Sequence, residues 1–244
     1  MTTLDKEELK RKFKEYVDGF DMKDPNIERK YYHSLRVMDF AENIGKSISL
    51  DDNDLEIAIV GGLLHDYGRF PQWERYNTYS DVDSIDHGNL GVSLLFNENE
   101  ILNFYNNVKN FDELYDAIKY HNKYDISPKL SEHNKELSYI VRDADKLDIF
   151  DIFVNNILSL NETNDPISKE VSDTFFRNES VSYKDVRNPN DDIILKLAML
   201  YDLKYKYSKN YVKDNNIIDK LYSKLNNKDI FDKYFKHIKE YLGI

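Results

Sequence analysis

Six side chains stand out for the chemistry they can do together. His33, His65, His87 and His121 fall on four successive segments with helical spacing of apolar residues, each at or beside the apolar stripe. Asp66 follows His65 directly, after eight residues without charge, and Asp145 lies among Val141, Ala144, Leu147 and Ile152. One inward histidine is more often a hydrogen-bonded core residue than a ligand. A carboxylate taken out of water, however, is costly unless a charge or hydrogen-bond donors compensate. Two such carboxylates beside four inward-leaning imidazoles make a divalent metal the economical explanation. Oxygen and nitrogen ligands without sulfur suit Mn, Fe, Ni, Co or Mg. Six ligands are too many for one ion that must also bind substrate, and they suffice for two ions if one carboxylate bridges. Adjacent helical residues point about 100° apart, so His65 and Asp66 reach one cluster from different angles, and Asp66 is the bridging candidate.

Positioning these groups requires helices, and the sequence is built for them. Five prolines and eight glycines leave room for long helical runs. Apolar residues recur at i, i+3 and i+4 over 26–49, 55–67, 111–122, 136–160 and 191–211, with shorter amphipathic stretches at 217–225 and 230–242. Residues 55–67 read as a helix buried on most sides, with Gly61-Gly62 allowing a neighbour close. Residues 84–97 read as a helix with Ser84 as its N-cap. Residues 71–83 and 161–190 read as irregular, and nothing alternates as a half-buried strand would. The expected fold is all-α: a single domain over 1–244, with a metal-ligand core at about 26–160 and a C-terminal helical extension at about 190–244.

The composition sharpens the chemistry by exclusion. The chain has 244 residues, a formal charge of -11 and no cysteine. A disulfide scaffold, a thiolate metal site and a cysteine nucleophile are therefore excluded. No basic excess exists to displace the counterions of nucleic acid or anionic membranes, so neither is expected as a general partner. The apolar run from Ile57 to Leu64 is too short to cross a bilayer. The first residues, charged from Asp5 onward, lack a signal peptide's apolar stretch, and a cytoplasmic location is expected.

His33, the doublet His65-Asp66 and Asp145, in this order, resemble the HD-domain superfamily of metal-dependent phosphohydrolases. With His87 and His121 the pattern is similar to the six-ligand, two-metal version, H…HD…H…H…D. Local contexts carry the likeness too: His33-Ser34-Leu35-Arg36, Leu63-Leu64-His65-Asp66-Tyr67-Gly68-Arg69-Phe70, Asp86-His87-Gly88, Tyr120-His121-Asn122 and Asp143-Ala144-Asp145-Lys146. The resemblance implies an all-α HD-type bundle, two divalent ions, and metal-activated water attacking phosphorus in line. It assigns His33, His65, Asp66 and Asp145 to one ion, and Asp66, His87 and His121 to the other. Arg69 stands where many relatives carry lysine and is the first candidate for a phosphate clamp; Lys146 and Arg36 are the others. Asp66, Arg69 and Lys146 form the expected catalytic set, and a small phosphorylated molecule, with a nucleotide among the options, is the expected substrate.

The same six ligands also resemble those of the superfamily's di-iron oxygenases acting on inositol- or phosphonate-like compounds, which is the competing reading. No Gly-Tyr-Pro motif occurs, no Glu-Asp pair comes shortly after His65-Asp66, and no histidine comes directly after Gly68, so three known hydrolase subgroups are not matched. Residues 71–83, with Trp73, Arg75, Tyr76 and Tyr79, either wall the site or pack on the surface. His133 and His237 sit in polar surroundings and belong to no pattern. The global charge of -11 does not disfavour a small phosphate compound, which responds to the local field of metal ions and Arg69.

Overall fold

A computed structural model of the chain describes residues 4–244, and among these it contains helices and connecting segments without strands. Two compact units are distinguishable, Met1–Asp145 and Lys146–Ile244. No helix among the described residues is long and apolar enough to cross a membrane.

The first unit begins with α1 (Lys6–Val17) and α2 (Pro25–Ser47). Asp24 caps α2 by accepting from the Asn26 backbone N–H at 2.8 Å, with Pro25 in the first turn where its missing N–H is harmless. Next comes α3 (Asp52–Leu64), capped by Asp51 and buried continuously from Leu55 to Leu64, as a helix sheathed by neighbours must be. A Cβ on Gly62 would lie 2.9 Å from the Ala41 Cβ and 3.0 Å from the Val37 carbonyl oxygen, so glycine lets α3 lie directly on α2.

After a turn at His65–Gly68 comes α4 (Arg69–Tyr76). Here the structure departs from the irregular stretch expected over 71–83. Pro71 sits in the first turn of a helix, where no intrahelical donor is needed, and only the part after Tyr76 is loop. The helix expected over 84–97 is also shorter: α5 spans His87–Val92 and continues as a π-helical segment, Ser93–Asn97. Its N-cap is Asp86, which accepts from the Asn89 N–H at 2.9 Å, whereas the Ser84 hydroxyl donates to the Ser80 carbonyl. An aspartate directly before the helix displaces the serine two residues upstream. Then follow α6 (Phe111–Tyr120) and α7 (Glu132–Val154). α3 packs on both α2 and α6, α5 packs on α6, and α4 touches both α2 and α5.

The second unit continues from Lys146 with α8 (Lys169–Phe176), α9 (Pro189–Ala198), α10 (Lys206–Asp214), α11 (Ile217–Ser223) and α12 (Lys228–Leu242). The run expected as one helix over 191–211 is broken by a 3-10 turn at Met199–Asp202 and an extended Leu203. The polar stretch 161–190 is pinned rather than loose. The buried Asp191 accepts from the Ser168 N–H at 2.7 Å and the Arg187 N–H at 2.9 Å, and the Asn190 amide donates to the Asp165 carbonyl at 2.7 Å.

Candidate metal centre

The first unit gathers all six sequence-selected ligand candidates. His33 comes from the interior of α2, one turn past Lys30. His65 and Asp66 stand where α3 ends, His87 is the first residue of α5, and His121 follows the last residue of α6. Asp145 comes from α7. Three of the four histidines thus sit at helix ends rather than mid-helix. There the chain turns sharply enough to bring neighbouring side chains to one point from several directions. All four imidazoles and Asp66 are buried, and Asp145 is partly so.

Asp66 organises the cluster. Its Oδ2 lies 3.3 Å from His33 Nε2 and 3.4 Å from His65 Nε2, while its Oδ1 lies 3.3 Å from His87 Nε2 and 3.7 Å from His121 Nε2. Asp145 Oδ1 closes the first side, 3.2 Å from His33 Nε2 and 3.7 Å from His65 Nε2. Each carboxylate oxygen of Asp66 therefore addresses its own pair of imidazoles. Ligand atoms that share one ion at roughly 2.1 Å stand at such mutual separations.

The far sides of three of the rings are already committed. His65 Nδ1 donates to the Gly62 carbonyl at 2.8 Å and His121 Nδ1 to the Ile118 carbonyl at 2.6 Å. His87 Nδ1 lies 2.7 Å from Asp81 Oδ2. A carbonyl oxygen only accepts, so the hydrogen of a neutral ring sits on Nδ1 and the inward Nε2 carries a lone pair. His121 is held neutral, its pKa lowered to about 4 by burial with His87 and His65 beside it. Burial alone would lower His65 as well, but the Asp66 and Asp145 carboxylates outweigh it and raise that group. Burial would raise both carboxyls; Lys30 and the imidazoles around Asp66, and His33 and His65 around Asp145, hold both well below the usual range. Ionised carboxylates beside inward imidazole nitrogens form a donor set suited to a divalent cation, whose binding would displace any proton that His65 holds there. Two groups satisfy the spacing for one, His33 with His65 and Asp145, and His65 with Asp66 and His121, the ligand atoms of each lying within 4.8 Å of one another.

Residues 31–149 match the family model of the HD domain. This segment is an HD domain. No curated protein and no solved structure matches the chain. HD domains belong mostly to metal-dependent phosphohydrolases and bind divalent metals. The matched segment of this HD domain contains every candidate ligand, from His33 to Asp145.

Around the candidate ligands stand residues that the sequence reading did not single out. Lys30 donates to Asp66 Oδ2 at 2.5 Å; its place three residues before His33, on one helical face, was the available signal. Arg142 on α7 donates to the Tyr120 carbonyl at 2.9 Å and the His121 carbonyl at 3.4 Å, satisfying carbonyls that the end of α6 leaves open. Asp81, Gln72 and Asn122 form a polar web around His87.

The three cation candidates differ. Arg69 is held by its Nη1, which donates to the Tyr79 carbonyl at 2.6 Å, to Gln72 Oε1 at 2.7 Å and to Asp81 Oδ1 at 2.9 Å. Its Nε has no hydrogen bond and lies 3.5 Å from Asp66 Oδ1, so the other edge of the guanidinium borders the cluster. Lys146 pairs with Asp202 at 2.8 Å in the second unit. Arg36 is half-buried on α2, three residues past His33. Trp73 and Tyr79 pack together at 4.8 Å between ring centres, and both bond to the start of α2, through Asp24 at 2.7 Å and the Asn26 carbonyl at 3.0 Å. Arg75 and Tyr76 are exposed. His133 pairs with Asp54 at 3.3 Å and His237 with Asn178 at 2.8 Å, both outside the cluster.

Proposed function

We propose that this protein is a two-metal phosphohydrolase or phosphodiesterase acting on a small phosphate ester, a nucleotide being one such substrate. The observation that supports it is the division of labour at Asp66, one carboxylate oxygen turned to His33 and His65, the other to His87 and His121. In this reading His33, His65, Asp66 and Asp145 hold one divalent ion, and Asp66, His87 and His121 hold the second. Ions so held lower the pKa of water and neutralise charge developing on phosphate oxygens.

The remaining work belongs to side chains. Asp66 stays ionised because Lys30 and the imidazoles outweigh its burial, so it is ready to bind without first losing a proton. Arg69, anchored at Nη1 by three acceptors, offers its Nε edge to a phosphate oxygen as a charge-assisted donor. Lys30 donates to Asp66 Oδ2 and holds that carboxylate in its ionised form. Lys146 and Arg36 are further candidates for contacting substrate, with Lys146 already engaged by Asp202.

The test is hydrolysis of p-nitrophenyl phosphate, phosphomonoesters, dinucleotides and cyclic nucleotides, read by chromatography of the products, with Mn, Fe, Ni, Co or Mg supplied in turn. Metal-dependent hydrolysis that EDTA abolishes is expected. A mixed-valent iron pair in the EPR spectrum without any hydrolysis would instead select oxygenase chemistry on the same ligands.

A further inference from the structure

The loop before α5 carries a carboxylate that none of the expected roles uses. Asp81 Oδ1 lies 2.8 Å from His87 Nδ1 and accepts from Arg69 Nη1 at 2.9 Å and Gln72 Nε2 at 2.9 Å. Its Oδ2 lies 2.7 Å from His87 Nδ1 and accepts from Asn122 Nδ2 at 3.1 Å. Donors from α4, α5 and the residue after His121 thus converge on one side chain. A carboxylate has about four acceptor positions, and here they are filled. Gln72, fully buried, braces the loop by donating also to Ser84 Oγ and the Ile85 carbonyl, each at 2.9 Å.

We propose that Asp81 is a positioning residue for the metal centre: it fixes His87 as the Nδ1–H tautomer with Nε2 aimed at Asp66, and it locks Arg69 with the same carboxylate. The physical reason is general. An imidazole whose outer N–H is held by a carboxylate cannot rotate or change tautomer, and its inner nitrogen becomes a better donor to a cation. Because the same Oδ1 holds Arg69 Nη1, the ligand geometry of one ion and the orientation of the phosphate clamp are set by one group. The proposal rests on the two-ion reading for its first readout and is independent of it for its second. The hydrogen bonds of Asp81 run to His87, Arg69, Gln72 and Asn122, and His87 belongs to only one of the two proposed ion sites, so the two sites are expected to respond differently to its loss.

The experiment is calorimetric titration of Mn2+ into the EDTA-stripped full chain, wild type against Asp81→Ala and the milder Asp81→Asn. Nitrogen NMR of the histidine rings in the metal-free protein is recorded alongside, with a thermal melt to establish folding. The expected result is that one of two binding steps weakens by about 10- to 100-fold while the other is unchanged, and that His87 loses its pure Nδ1–H signature in Asp81→Ala. If alanine prevents folding, asparagine carries the test, since it keeps the side chain's shape without its charge. Both steps weakening equally, or neither weakening, overturns the proposal. Should the wild type take up a single ion, the two-ion reading fails by itself. A His87 signature untouched in Asp81→Ala overturns the Asp81 proposal whatever the stoichiometry.

Discussion

His87 and His121 meet Nε2 to Nε2 at 2.9 Å, while the outer nitrogen of His121 donates to the Ile118 carbonyl and that of His87 faces the Asp81 carboxylate. Two rings that both spend their hydrogen on the outer side turn lone pairs toward each other, and a cation between them relieves that repulsion. Supplying a divalent ion should therefore stabilise the first unit. At a hundredfold excess over Kd the gain is about 2.7 kcal/mol. A thermal melt of the stripped protein with and without Mn2+ checks this, and His121→Ala should reduce the shift.

Arg69→Lys retains the positive charge and removes the fork. Lysine cannot hold the Tyr79 carbonyl, Gln72 and Asp81 together and still present a free edge beside Asp66. Loss of one charge-assisted hydrogen bond is worth about 1.5–3 kcal/mol, which is roughly 10- to 150-fold in kcat/KM. Steady-state kinetics on the best phosphate ester found in the screen would reveal it, with metal content unchanged.

Gly68→Ala should damage the site through packing alone. A Cβ there would lie 2.3 Å from the His87 carbonyl oxygen and 2.8 Å from the Gly91 nitrogen, both backbone atoms that cannot swing away. Overpacking of this kind destabilises by about 1–3 kcal/mol. Chemical denaturation of the metal-free variant measures the loss, and weaker Mn2+ uptake should accompany it because α5 carries His87.

Raised tyrosine pKa values set the alkaline limit of stability. Tyr105 is pushed up to about 12, first by burial and then by Glu56 beside it, and burial also raises Tyr67 and Tyr79. An unfolded tyrosine titrates near ~10. The folded pKa values are the higher ones, so this stability is whole below the unfolded value and is lost as pH rises through the folded ones. Tyrosinate absorbance and helical circular dichroism should change together in one cooperative step above about pH 10. Independent titration of these tyrosines in a chain that stays helical would contradict the assignment.

Much of the candidate cluster was legible in the sequence because its members are rare residue types at helix-compatible spacings. His33, His65, Asp66, His87, His121 and Asp145 needed only the all-α pattern to be gathered. What the pattern could not supply was the role of residues off the helices. Asp81 sits on a turn, where no periodicity marks a direction, and its partners come from three other segments. The helical run expected over 191–211 failed for a related reason. Apolar spacing continues through Leu200 and Leu203, both buried, although the backbone between them leaves the helix. Pro71 misled in the opposite direction, since a proline in a first turn starts a helix as readily as it ends one.

The central claim is that Asp66 joins two ions in one centre. Elemental analysis of the purified full chain, wild type beside Asp66→Ala, tests it most directly. The account predicts two divalent ions per chain in the wild type and fewer than two in the variant, which loses the one group that faces both pairs of histidines. A metal content that the substitution leaves unchanged would contradict it.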